Sequence, residues 1–374
     1  MALRDVIGQD RSVGILLQTL GRGRVPSAYL FSGESGIGKK FAAVNFAKAI
    51  NCLKPVDSQQ SSVIGRRNGA ESIDGVQSVD YRLIDSCDEC PSCRKIESGA
   101  HPDFLMITPE KGEIRVSEIR AVEEALSFKP YEGRKKVVVI DDADSMNQSA
   151  ANAFLKTLEE PPVDSLLILV AAHADRLPET IRSRCSRVNF TPLSPDACEK
   201  VIQSVAGQPA GPDKKRSDGA DEVQVMVRLS MGRPGLAVSA DIVGERERFI
   251  SLLESMIGVC GETWTDKEEM ERWLDLILIM LRDMTVLKVA GKDFQNKASR
   301  AKAGSGMTLF NSDIRDYVLQ VSKASEIDGM VEAYRKLVLL RARLDFNLNK
   351  GVTWNYVSGM MRNLRFRVPA GRAG

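Results

Sequence analysis

Ala28-Tyr29-Leu30-Phe31-Ser32-Gly33-Glu34-Ser35-Gly36-Ile37-Gly38-Lys39-Lys40 reads as an apolar run, a glycine-rich turn and a lysine pair that opens a helical pattern over Lys39–Asn51. A short strand feeding such a turn into a helix is the setting that phosphate binding needs. Glycines let backbone N–H groups curl inward as an anion nest, and the helix N-terminus adds its positive end. Gly33, Gly36 and Gly38 would form the nest for ATP or ADP, and Lys39 would reach the β- and γ-phosphates. Lys40 breaks the pattern. A hydrolysing loop places Ser or Thr there, whose hydroxyl ligates Mg²⁺, whereas an ammonium has no lone pair to give and repels the cation.

A matching acidic strand lies downstream. Val137–Ile140 is a continuous β-branched run ending in Asp141-Asp142, the pattern of a strand buried on both faces of a parallel sheet. Asp141 stands where a carboxylate would steady Mg²⁺ through water. Asp142 is shorter than the Glu expected of a base beside the attacking water, so it reads as the cap of the following helix rather than a catalyst. Leu166–Ala172 is a second buried strand, and it ends in Ala171-Ala172 where a γ-phosphate sensor would need a polar side chain. Three positions of the chain's own site thus point away from hydrolysis.

Around these strands the helical pattern recurs. Val13, Leu16, Leu17 and Leu20 share one face; so do Ile119, Val122 and Leu126, behind Ser117 as a helix cap, and Ala151, Phe154, Leu155 and Leu158 before Pro161-Pro162. Phe104–Ile107 is a further short strand. Strands alternating with helices predict a doubly wound α/β domain. After Phe190 strands disappear and the chain reads as helical, strongly so over Trp273–Lys288. Lys54–Asp85, Gly207–Asp221 and Gln295–Gly306 read as polar loops or joins, and Arg362–Arg372 as a basic tail.

Composition agrees with a folded, cytoplasmic protein. In 374 residues, Lys+Arg is 52 against Asp+Glu 50, a net charge of +2, with 43% hydrophobic and 27% charged residues. That balance argues against polybasic wrapping of nucleic acid and excludes global disorder. The apolar runs are too short for a membrane span, and the first residues lack a signal peptide's apolar core, so no membrane partner is expected. With 2 histidines, His101 and His173, histidine-based catalysis is nearly excluded.

The 7 cysteines are not spread as a disulfide framework. Cys87-Asp88-Glu89-Cys90-Pro91-Ser92-Cys93 places three thiols at even spacing, and Cys52 ends the helix after the phosphate loop. Four thiolates suit structural Zn²⁺ with no open coordination position. Iron–sulfur is the alternative, because this spacing also begins a ferredoxin-like run. That run should continue with a further Cys-Pro, but Arg94-Lys95 follows instead. Cys185, Cys198 and Cys260 stand alone and read as core residues.

One more segment, Thr180-Ile181-Arg182-Ser183-Arg184-Cys185, completes a recognisable set. With Ile7-Gly8-Gln9, the loop above, the cysteine triplet, His101-Pro102-Asp103, Asp141-Asp142-Ala143-Asp144 and Leu158-Glu159-Glu160-Pro161-Pro162, the chain resembles the delta-prime branch of the bacterial DNA polymerase III clamp-loader family, within the AAA+ proteins. The resemblance covers residues 1–190 well and the helical remainder loosely. It implies an AAA+ domain over 1–190 with an inserted zinc module at about 52–93, a small helical lid domain over 191–243 and an all-α oligomerisation collar over 244–374.

The resemblance also implies that Arg184 is an arginine finger, reaching the γ-phosphate held by a neighbouring gamma/tau-like ATPase. Further implied partners are a delta-like subunit, the sliding clamp indirectly, and primer–template DNA through the complex. In the family the first zinc cysteine lies close to the triplet, so Lys54–Ser86 is an insertion. Gly235 falls where a motor subunit carries a second sensing arginine, with Arg233 two residues away. Two other readings are consistent with the residues: an active AAA+ motor subunit, and a zinc-dependent nucleic-acid-binding protein with a vestigial ATPase domain.

Overall fold

The computed structural model describes residues 1–58, 83–110, 112–206, 219–239, 242–258, 263–297, 309–311, 314–343 and 348–364. The middle of the Lys54–Asp85 stretch, most of Gly207–Asp221, the join after Lys297, Cys260 and the basic tail beyond Leu364 lie outside them. The chain divides into two compact units, one of Met1–Gln208 with Gly232–Leu236, the other of Pro209–Met231 with Ala237–Gly374.

The first unit is built on a parallel five-stranded sheet. Its strands are β1 (Ala28–Ser32), β4 (Phe104–Ile107), β5 (Lys136–Ile140), β6 (Ser165–Ala171) and β7 (Ser186–Asn189). The order is β4-β5-β6-β1-β7, with Leu30 opposite Leu169, and Val138 opposite Leu167. Every residue of β1 and β6 is buried, as runs covered by helices on both faces require. The helix stripes read from the sequence face this sheet: Ile119, Val122, Leu126, Phe154 and Leu158 join Val138, Ile140, Leu167 and Leu169 in one core. The carboxyl ends of β1, β5 and β6 therefore open on one side, where α/β sheets carry their ligand sites.

Several local readings shift. Helix Val116–Ser127 is capped at Arg115 rather than Ser117; the Glu118 carboxylate accepts the Arg115 N–H at 3.0 Å. β7 is not evident in the sequence because only Val188 of its four residues is buried. The ends of the polar stretch after Cys52 are not loop: β2 (Val56–Ser58) and β3 (Leu83–Asp85) pair antiparallel, Val56 opposite Asp85. The polar loop after Ala206 also ends early, because helix Gly219–Ser230 starts inside it.

The second unit is helical. Helices Ile242–Met256, Lys267–Lys297, Arg315–Ala324, Ile327–Ala342 and Lys350–Asn363 share one apolar core. Trp273 lies 5.6 Å from Phe249 and 5.7 Å from Trp264, ring centre to ring centre, and Trp264 lies 4.9 Å from Trp354. Among the described residues, no helix is long and apolar enough to cross a membrane.

Candidate functional site

The phosphate loop leaves β1 at Gly33 and enters helix Lys39–Asn51 through Gly38, whose backbone is left-handed (φ 93°). Lys39 is buried, and its Nζ donates to the carbonyls of Gly33 at 2.6 Å and Glu34 at 2.5 Å, folding the side chain back over its own loop. Burial holds this ammonium below its usual range, although Asp142, Asp144, Asp141 and Glu34 pull the other way. Lys40 turns towards the end of β5, where its Nζ lies 3.0 Å from Asp141 Oδ2. The ammonium thus already pairs with the acid that a divalent cation would need. The hydroxyl a cation requires is missing and its carboxylate is already paired, so the residues present do not fit Mg²⁺.

The outer edge of the loop is closed by the short return segment Gly232–Leu236. The Gly235 N–H donates to Gly36 O at 2.8 Å. A Cβ at Gly235 would meet that oxygen at 2.8 Å, so no side chain, arginine included, fits at this position. A Cβ at Gly36 would in turn stand 2.9 Å from Leu236 Cγ. Arg233 points at the same loop, with Nη1 3.7 Å from Glu34 Oε2. At the end of β6, Asp144 accepts the backbone N–H of Ala172 at 3.2 Å and of His173 at 2.9 Å, so this strand end is braced by an acid.

Arg184 lies apart from this cradle, after helix Glu179–Arg182. Its Nη2 is 2.6 Å from Glu159 Oε1, and its Nη1 donates to Thr180 O at 2.8 Å. The guanidinium is 36% exposed and its carboxylate partner 51%, so solvent screens the pair. Arg182 pairs with Asp175 at 2.9 Å.

Cys52, Cys87, Cys90 and Cys93 come together with all four sulfurs within 4.8 Å of one another. The Cys52 sulfur is 3.5 Å from that of Cys87 and 4.0 Å from that of Cys90. Tetrahedral thiolate ligation with metal–sulfur bonds of ~2.3 Å places sulfurs about 3.8 Å apart, so the set fits a tetrahedral ion. Backbone N–H groups already point at the sulfurs: Cys87 N to Cys52 at 3.3 Å, Cys90 N to Cys87 at 3.4 Å and Cys93 N to Cys90 at 3.5 Å. Burial would raise the Cys90 thiol, but the backbone N–H groups of Cys93 and Leu53 and the neighbouring thiols of Cys93 and Cys87 lower it to about 6. Burial pushes Cys52 up, and Cys93 further.

A family model described as "DNA polymerase III, delta subunit" matches residues 8–85 and 76–194. The chain is 30% identical over 349 residues to DNA polymerase III subunit delta' of Bacillus subtilis, covering 88% of this chain and 91% of that one. The chain belongs to the delta-prime family of DNA polymerase III subunits. The chain is also 34% identical over 194 residues to DNA polymerase III subunit tau of Bacillus subtilis, covering 52% of this chain and 30% of tau. A solved gamma subunit-related protein of Thermotoga maritima, 18% identical, aligns over 94% of this chain and 100% of its own with a TM-score of 0.40.

In the sheet-bearing unit of this delta-prime chain the structure also shows polar residues that sequence reading left without a role. Asp103 receives three backbone N–H groups, from Tyr131 at 2.7 Å, Glu132 at 2.8 Å and Gly133 at 2.7 Å. Asn51 continues the same seam, accepting from Arg134 and Lys135 at 2.9 and 3.0 Å. His101 Nδ1 accepts the Asp103 N–H at 3.0 Å, while its Nε2 lies 3.2 Å from Ser92 Oγ beside the cysteine cluster. Lys48, on the helix after the phosphate loop, is buried and pairs with Asp88 at 2.5 Å inside the cysteine triplet. Gln9 donates to Ile37 O at 3.2 Å and Thr191 O at 2.7 Å. The signal for Asp103 and Gln9 was present in the motifs His101-Pro102-Asp103 and Ile7-Gly8-Gln9. Asn51 and Lys48 carry none. Cys198 is buried and Cys185 partly so.

Proposed function

We propose that this chain is a non-hydrolysing subunit of a DNA polymerase III clamp loader, which assists a neighbouring ATPase rather than cleaving its own nucleotide. It sits beside gamma/tau-type subunits, and with a delta-type subunit the assembly places a sliding clamp on primer–template DNA. The observation that carries this reading is the 3.0 Å contact of Lys40 with Asp141, which puts a side-chain cation where hydrolysis needs Mg²⁺. Gly235 and the alanines ending β6 agree with it, since neither offers a side chain able to sense a γ-phosphate.

Arg184 is the group directed at a neighbour. Its planar fork suits phosphate oxygens as it suits the Glu159 carboxylate it now holds, and an exposed pair worth about 0–1 kcal/mol is readily exchanged. In trans such an arginine accelerates phosphoryl transfer by about 10³–10⁵. The cysteine cluster holds Zn²⁺ as a structural ion: four sulfur ligands close the tetrahedron and leave no position for substrate. The domain boundaries follow the family plan, an AAA+ domain, a helical lid and an oligomerisation collar in that order.

The test is DNA-stimulated ATP hydrolysis by the reconstituted complex containing Arg184→Ala. The variant folds as the parent does, by circular dichroism, and turnover at the neighbouring site collapses. Unchanged turnover would discard the finger.

A further inference from the structure

The pairing of Lys40 with Asp141 has a consequence for ligand binding as well as for hydrolysis. We propose that Lys40 is a tethered replacement for the divalent cation, so that this loop takes a nucleoside triphosphate in its metal-free form. The inference deepens the reading of the loop as non-hydrolysing and does not depend on Arg184.

In a hydrolysing loop the residue after the loop lysine contributes a hydroxyl to a metal that bridges the β- and γ-phosphates, while the strand acid steadies the metal. Here the same position carries an ammonium with three N–H donors. One is committed to Asp141 at 3.0 Å, and the Lys40 side chain is 50% exposed, so the others can meet phosphate oxygens. Asp141 is only 14% exposed, and Lys40 already balances its charge. A metal arriving with the nucleotide would have to displace Lys40 from Asp141 and then sit beside it, a like-charge contact that the metal-free ligand avoids.

The rest of the cradle pairs cations with acids, since Glu34, Asp142 and Asp144 also face Lys39. Lys39 lies within the loop and Arg233 against its outer edge. On phosphate entry the Lys39 ammonium would exchange two backbone carbonyls for phosphate oxygens, a change of partner within reach of one side chain. A triphosphate held this way has no metal to polarise it, so it is retained and not cleaved.

The experiment titrates the full chain with a fluorescent methylanthraniloyl-ATP, once in EDTA and once in excess magnesium. The expected result is saturable binding in EDTA that magnesium leaves unchanged or weakens. Lys40→Thr, which restores the hydroxyl, should instead bind about tenfold or more tighter with magnesium, and Asp141→Asn added to it should erase that gain. Lys40→Gln, which keeps the stem and removes the charge, should weaken binding in EDTA about ten- to a hundredfold, as expected for the loss of a charge-assisted hydrogen bond. Wild-type binding that magnesium tightens, or the absence of saturable binding in EDTA, would overturn the inference. Neither outcome touches the Arg184→Ala result in the complex, and ATP turnover by the chain alone, which should stay absent, tests the non-hydrolysing reading on its own.

Discussion

Replacing Asp103 with alanine should cost the first unit a large part of its stability. Asp103 is 1% exposed, and its carboxylate takes three backbone N–H groups at 2.7–2.8 Å from the turn that leads into β5. Hydrogen bonds to charged groups contribute about 1.5–3 kcal/mol each, and three sharing one carboxylate fall short of the sum, so the expected loss is about 3–5 kcal/mol. Against a domain stability of about 5–15 kcal/mol, that is severe. Asp103→Asn keeps one acceptor oxygen, loses at least one bond and turns an amide N–H₂ towards a backbone donor, so it should lose roughly half as much.

The pH dependence of this loss has a definite sign. Burial alone would raise the Asp103 carboxyl, but the N–H groups of Tyr131, Glu132 and Gly133 and the nearby His101 outweigh it and hold the acid below its ordinary value. A depressed folded-state pKa gives stability that is complete above the unfolded value of about 4 and is lost as pH falls through the folded one. The difference between wild type and Asp103→Ala should therefore be constant near neutrality and shrink in acid. Amide hydrogen exchange through β5 and the Tyr131–Gly133 turn reads both effects. A loss below about 1 kcal/mol, or unchanged protection of those three amides, would refute the brace.

Two further outcomes can be checked on the same chain. Elemental analysis should find zinc bound to the full chain, lost in Cys90→Ser and on chelation with a drop in thermal stability; visible absorption from iron would replace zinc with a cluster. Gly235→Ala should destabilise by about 1–3 kcal/mol in denaturant unfolding, because its Cβ would stand 2.8 Å from the Gly36 carbonyl; a neutral result would mean that the return segment yields freely.

The parts of the fold that were legible in the sequence are those in which burial is continuous. β5 and β6 carry the unbroken apolar runs Val137–Ile140 and Leu166–Ala171, short and rich in branched residues, as a strand covered on both faces requires. β7 was not legible, since three of its four residues face solvent, and β2 and β3 were hidden at the ends of a polar stretch. The phosphate loop and the cysteine triplet could be read because their chemistry needs fixed spacing. The Lys40–Asp141 contact required knowing that β5 and the loop meet at one sheet end. Glu159 was visible in its motif without any hint that it holds Arg184. Buried polar braces were the least legible, because in one sequence Asp103 or Lys48 looks like any solvated charge until its partners, distant along the chain, are placed.

The placement of the aromatic residues has a practical spectroscopic consequence. Of the 3 tryptophans in the chain, Trp264, Trp273 and Trp354, all lie in the helical second unit. Indole emission is therefore a one-sided reporter: a fluorescence melt follows the bundle and is blind to the sheet, the nucleotide cradle and the thiol cluster. An apparently cooperative trace from that probe would describe half the molecule, and a tryptophan grafted at the already exposed Tyr131 would give the other half its own signal.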